Sequence, residues 1–233
     1  MFKRGGKSAL FIHIPKAAGT AVRKRLESLG WRCAYPDDSN FTDHRAMNYL
    51  RTNSPQHMHK EQLENVFRLD RFDLIFTVCR NLLTRLVSEY HYRNSIASTA
   101  GMEDWFSEQQ QKYALDKSTL DNHIRPQVEF VTEHCRIFKL EDGLEALFQK
   151  YEDFLGKSFP WLSRKPLPEK KMADGPRLAA GFSASQVHPR EGHKCCRGTL
   201  MPPAEKATPT FQLEREVGKF YQQDYDFLGT NFA

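Results

Sequence analysis

Three stretches of this chain carry side chains whose type and spacing suit them to chemistry on an anion. The first is Phe11-Ile12-His13-Ile14-Pro15-Lys16-Ala17-Ala18-Gly19-Thr20. An apolar run stops at proline, and one lysine, three small residues and a threonine follow. Backbone N–H groups at a helix start have no partner inside the helix, and the helix dipole adds partial positive charge there. Small residues at 17–19 let the backbone approach an anion, with Lys16 giving a full charge and Thr20 a hydroxyl donor. Such a turn cradles a phosphate group. The string lacks the GxxxxGK[ST] pattern of nucleoside triphosphatases, and its lysine opens the turn instead of closing it. A plain strand–turn–helix with an incidental lysine is the other reading.

The second stretch, FTVCRNLLTRLVSEYHYR at 76–93, ends an apolar run at Cys79 and places Arg80 next. Arginine presents a planar fork of donors that matches phosphate. Arg85 and Ser88 follow at i and i+3, a spacing that shares one helix face. The third is Gln56-His57-Met58-His59. An unperturbed histidine titrates near 6.5 and so serves as a general base at neutral pH. An H-x-H pair binds zinc only with further ligands, and no third one follows from the spacing. His13, inside the first apolar run, reads as a packed histidine.

These residues need a scaffold. Residues 8–14 and 73–79 read as buried strands, and 135–140 as a third. Helices are predicted after the first turn (Val22, Leu26 and Leu29 on one face), over 82–93, after Glu141, and over 211–224 with Phe211, Glu214, Val217 and Tyr221 along one side. Strands alternating with helices predict an α/β domain, a central parallel sheet flanked by helices, spanning 1–233. In such sheets ligands bind beyond the carboxyl ends of the strands, where Lys16 and Arg80 both fall.

Composition sets the outer bounds. The chain has 233 residues, 39% hydrophobic and 27% charged, with a net charge of +5. That modest excess fits an anionic small ligand or an anionic polymer and is weak evidence for nucleic-acid binding, which is not expected. No stretch approaches the roughly 18 apolar residues of a membrane span, and no leader pattern precedes the first motif. The expectation is a cytoplasmic protein, or a soluble catalytic domain separated from an anchor. Five cysteines, without CxxC, read as mostly reduced thiols, with Cys79 and Cys135 in the core. Residues 164–206 hold six prolines, four glycines and nine Lys/Arg against four Asp/Glu, a surplus equal to that of the whole chain. They form either a solvated loop or a basic flap, which would be mobile without ligand.

HIPKAAGT resembles the 5′-phosphosulfate loop of sulfotransferases that use 3′-phosphoadenosine 5′-phosphosulfate (PAPS), above all the carbohydrate branch similar to heparan 2-O-, dermatan and chondroitin sulfotransferases. Residues 80–90 resemble that family's 3′-phosphate element, R-D-P-x-x-R-x-x-S-x-Y, through Arg80, Arg85, Ser88 and Tyr90. Asn81 and Leu82 stand where aspartate and proline are usual. The resemblance covers about 8–155 and 211–229. It implies a P-loop-like sulfotransferase fold, with PAPS as donor, its product PAP, and no metal. It assigns Lys16, Ala17, Ala18, Gly19, Thr20, Arg80 and Ser88 to the donor, and Lys16 to the charge that grows on the leaving phosphate. Arg85 is as well suited to bracing the fold. An H-x-H pair lies upstream of the arginine element in the 2-O type too. By that likeness His59, twenty-one residues before Arg80, is the base, and His57 either supports the catalytic groups from behind or positions the acceptor. Glu61 and Glu89 are the next carboxylate candidates.

The stretch Leu120-Asp121-Asn122-His123-Ile124-Arg125-Pro126-Gln127 is similar to an H-x-x-P-Q segment near the acceptor cleft in this branch. It makes Arg125 and Gln127 candidates for a carbohydrate acceptor; a capped structural turn fits them equally. Two other functions stay open: a non-catalytic module for sulfated or phosphorylated glycans, and a P-loop kinase.

Overall fold

The centre of the molecule is a strand buried along its whole length. In the computed structural model, which describes residues 1–33, 52–94, 101–156 and 209–229, β4 (Leu74–Cys79) lies between β2 (Lys7–Ile12) and β5 (Arg136–Lys139). Both pairings are parallel, Leu10 facing Ile75 and Thr77 facing Ile137. These are the three strands expected from the apolar runs, shortened by one or two residues. The sheet has two further members. β1 (Phe2–Arg4) pairs antiparallel with β2, and β3 (Arg32–Cys33) antiparallel with β1, giving the order β3-β1-β2-β4-β5. The sequence reading missed both because strands of three and two residues carry no periodic signal.

Alternation along the strands sorts the core into two faces. Ala9, Phe11, Leu74, Phe76 and Val78 point to one side, where they meet Val22 and Leu26 of α1 (Gly19–Ser28). Leu147 and Phe148 of α5 (Leu144–Lys150) and Leu155 of α6 (Glu152–Leu155) complete that layer. Leu10, Ile12, Ile75 and Cys79 point to the other side, against Met58, Phe130 and Leu63 of α2 (Lys60–Val66). Burying each such side chain contributes about 1.5–3 kcal/mol.

A third apolar cluster joins α3 (Leu82–Asn94), α4 (Met102–Leu115) and α7 (Phe211–Phe220). The last helical stretch breaks at Tyr221, and α8 (Gln222–Leu228) follows. Its apolar face is Leu213, Val217 and Tyr221; Phe211, expected on that face, is 81% exposed. Tyr221 donates its hydroxyl to the carbonyl of Ile124 at 2.8 Å, tying α7 to the segment before Pro126. Asp224 of α8 accepts the N–H groups of Gln127 and Val128.

Cys33, Cys79 and Cys135 are free thiols, Cys79 fully buried and Cys135 partly so. Among the described residues no helix is long and apolar enough to cross a membrane. The basic segment 164–206 lies outside the described residues.

Candidate active site

At the carboxyl end of β2 the chain runs through Pro15 to Ala18 and enters α1. Lys16 and Ala18 both hold positive φ, 64° and 63°. Non-glycine residues adopt that region at a cost of about 1–3 kcal/mol each. Turns of this kind turn successive backbone N–H groups toward one concavity that suits an anion. α1 has no side-chain cap, so its first N–H groups are not taken by a capping side chain. Gly19 is required for a separate reason: the imidazole of His13 occupies the space where a Cβ would stand.

The segment after β4 reaches this turn directly. Arg80 follows the end of β4, and its guanidinium donates to the carbonyl of Lys16 at 3.2 Å and to Thr84 Oγ1 at 3.1 Å. The amide of Gln127 clasps the Arg80 backbone, accepting its N–H at 2.9 Å and donating to its carbonyl at 2.8 Å. Asn81, where the family motif has aspartate, accepts the Thr84 N–H through Oδ1 at 3.1 Å. Asparagine caps a helix as well as aspartate does, and Leu82, in place of proline, is buried in the helical cluster. Arg85 is 2% exposed and donates to the carbonyls of Pro15, Arg125 and His123 at 3.0, 3.0 and 2.7 Å. It thereby ties the Pro15–Ala18 turn to the 120–127 segment. Ser88 lies partly buried three residues on, in α3.

The histidines converge beside this turn. His57 is buried, in a single helical turn over Pro55–His57. Its Nδ1 lies 2.7 Å from Asp121 Oδ2. Its ring meets those of His13 and His123 edge-on, with centroids 4.9 Å away in both cases. His123 Nδ1 is 2.6 Å from Glu89, which also accepts from Arg93 at 2.7 Å. Tyr92 closes the ring: it stacks on His123 at 6.2 Å and carries Lys16 Nζ 4.1 Å above its centroid. The Pro15–Ala18 turn, Lys16 and the histidine cluster therefore adjoin one another.

Asp121 is held with some effort. Leu120, Asp121 and Asn122 are three consecutive left-handed residues, φ 54°, 58° and 64°. Besides His57, the Asp121 carboxylate accepts the Ser54 N–H at 2.5 Å and the Ser54 hydroxyl at 2.9 Å. Burial opposes its ionisation, yet the bonds from His57 and Ser54 outweigh it and keep its pKa below the usual carboxylate range. Asn122 donates to the His57 carbonyl at 2.8 Å. Sequence reasoning quoted this segment but took from it Arg125 and Gln127, not Asp121.

His59 lies differently. It is the N-cap of α2, half-buried, and its N–H donates to the Gln62 side chain at 3.2 Å. Burial, then Arg125, lowers its pKa. Arg125 is itself buried, with its three donor groups on Asn122 Oδ1, Glu129 Oε2 and the Lys117 carbonyl. Gln127 is fully buried on Arg80. Both side chains brace the site from within.

Burial pushes His123 down to about 4, only partly offset by Glu89, and pushes His13 well below its ordinary value. Against burial, His123 and Arg93 hold Glu89 at about 2. Between about pH 6.5 and 4 the unfolded chain thus binds protons on these histidines that the folded chain refuses. At lower pH Glu89 and Asp121 act in the same sense. The stability they confer is complete above about pH 6.5 and drains as pH falls. The urea midpoint is expected to be lower at pH 5 than at pH 7; an equal or higher midpoint at pH 5 would contradict this account of the cluster.

In comparisons with known proteins, no family model, no curated protein and no solved structure matches this chain.

Proposed function

We propose that this chain is a sulfotransferase with a P-loop-like fold that moves a sulfuryl group from PAPS to an acceptor hydroxyl, that of a carbohydrate. The observation that carries the reading is the placement of a carboxylate-held histidine against a phosphate-type turn. His57 is fixed by Asp121 at 2.7 Å, and its neighbour His13 packs on Gly19 of the turn. A module that merely binds glycans has no use for such a base.

In this reading the turn from Lys16 to Thr20 takes the 5′-phosphosulfate, and Arg80 with Ser88 takes the 3′-phosphate. A donor phosphorylated at two ends suits two basic elements that touch through Arg80 and the Lys16 carbonyl. The base is assigned to His57 in preference to His59. Asp121 accepts the Nδ1 proton, which leaves the Nε2 lone pair for the acceptor O–H. As the acceptor oxygen bonds to sulfur, its proton passes to His57 Nε2 and the S–O bond to the 5′-phosphate breaks. The Asp121 carboxylate stabilises the imidazolium, and Lys16 the charge on the departing PAP.

Lys16→Ala and Arg80→Ala are each expected to weaken PAP binding by about 1.5–3 kcal/mol, the range for charge-assisted hydrogen bonds. Wild-type PAP affinity in both variants would show the donor site to be elsewhere. The activity itself is tested by incubating the full chain with PAPS and a panel of glycans. Mass spectrometry is expected to find the gain of one sulfate on an acceptor. PAP binding without transfer to any hydroxyl acceptor would favour the glycan- or nucleotide-binding module.

A further inference from the structure

The histidine cluster has the makings of a second kind of site. Ligand atoms of His57, Asp121 and His123 all lie within 4.8 Å of one another. All three side chains are mostly withdrawn from solvent, at 7%, 16% and 11% exposure. Two imidazoles with one carboxylate form a donor set for zinc-class ions, whereas magnesium and calcium prefer oxygen alone. The surroundings supply what ligands of this kind need. His123 has its Nδ1 on Glu89, which leaves Nε2 for a metal and fixes the ring; a histidine backed by a carboxylate is the usual support of a metal ligand. Glu89 is itself held by Arg93. Ligands about 2.0–2.1 Å from zinc stand roughly 3.3 Å apart, so occupancy requires the His57–Asp121 edge, 2.7 Å here, to open by about 0.6 Å and the edges to His123, at most 4.8 Å, to close by up to about 1.5 Å.

We infer that His57, Asp121 and His123 bind a zinc-class divalent cation, and that the bound ion blocks the base. The ion takes Nδ1 of His57 from Asp121 and moves the ring proton to Nε2, the atom that must accept the proton of the acceptor hydroxyl. Binding does not depend on the sulfotransferase reading; the inhibition does.

The H-x-H motif supplies only one of these ligands. The other two come from a loop more than sixty residues away, which is why spacing did not reveal them.

The test uses the full chain carrying Cys195→Ser and Cys196→Ser, because those adjacent thiols are metal ligands in their own right. Cobalt(II) is titrated as the probe, and ¹⁵N-imidazole NMR follows the histidines. One equivalent is expected to give a visible d–d band and to broaden His57 and His123 selectively. Glu89→Gln is expected to weaken cobalt binding about 10–100-fold, and Asp121→Asn with His123→Gln to abolish the band. No band, an unchanged band in the double variant, or broadening confined to other histidines would overturn the inference. Should that double variant fail to fold, the broadening in the parent decides alone. Equimolar zinc is then expected to stop sulfuryl transfer, and chelator to restore it. A chain that binds cobalt here but never PAP would refute the proposed function and leave this site standing. One that transfers sulfate with no cobalt response at these histidines would do the reverse.

Discussion

His57→Gln is expected to slow sulfuryl transfer by about 10²–10⁴-fold, the usual contribution of a positioned base, while PAP binding stays near wild type. The proposed donor contacts are Lys16, the turn backbone, Arg80 and Ser88, none of which contacts His57 in the hydrogen bonds described. Asp121→Asn should fall in the same range, since the amide disturbs the tautomer that leaves Nε2 able to accept a proton. His59→Ala should cost far less, because His59 caps α2 and has Gln62 on its own N–H. Single-turnover rates at saturating PAPS, measured beside PAP titrations, separate chemistry from binding. A dead His59→Ala beside an active His57→Gln would return the base to the residue that the family resemblance indicates. Equal activity in both would remove histidine from the mechanism.

Arg85→Ala is expected to give the largest loss of stability at any site residue, about 3–5 kcal/mol. Arg85 is 2% exposed and serves three carbonyls on two segments. Removing it orphans the Pro15, Arg125 and His123 carbonyls in a dry interior, each at about 1–3 kcal/mol, part of which relaxation recovers. Its ring neighbour Tyr221 also loses a cation 6.0 Å from its centroid. Arg85→Lys should recover little, since one ammonium cannot span three acceptors set for a planar fork. Because Pro15 opens the phosphate turn, PAP binding should weaken along with stability. Chemical denaturation of the variant is the check. A loss below about 1 kcal/mol would mean that the three bonds are not made together in solution.

The parts of this fold legible in the sequence are those whose signal is local. β4 is an apolar run but for Thr77, because a central parallel strand covered on both faces has no polar side to show. β2 is apolar over its buried part, Ala9–Ile12, and β5, at the sheet edge, shows only Ile137 and Phe138 between two basic residues. The turn between β2 and α1 announces itself through Pro15, Lys16 and three small residues in a row. α4 was equally legible and was overlooked: Met102, Trp105, Phe106, Gln109 and Tyr113 are buried at helical spacing, but glutamines and acids between them dilute the pattern. At the C-terminus the helix was found and its face misjudged, because Phe211 was taken for core when the buried row begins at Leu213.

Of the candidate site, only the placement of the basic residues was legible in the sequence. Lys16 and Arg80 each follow a buried strand, so their position at the sheet's carboxyl edge follows from topology alone. The pairing of His57 with Asp121 spans 64 residues, and no spacing rule foretells it. A polar residue in a left-handed triplet at 120–122 is a structural signal, not a sequence one. Arg125 and Gln127 were chosen for their chemistry. In the structure their polar groups are taken up by Asn122, Glu129, the Lys117 carbonyl and the Arg80 backbone.

The account stands most directly on donor binding in the absence of metal. Calorimetric titration of PAP into the full chain in excess chelator is predicted to show one site, markedly weakened when the 3′-phosphate is removed from the ligand. Failure to bind PAP, or binding of a nucleoside triphosphate that requires magnesium, would contradict it and point to a kinase-type site on the same turn.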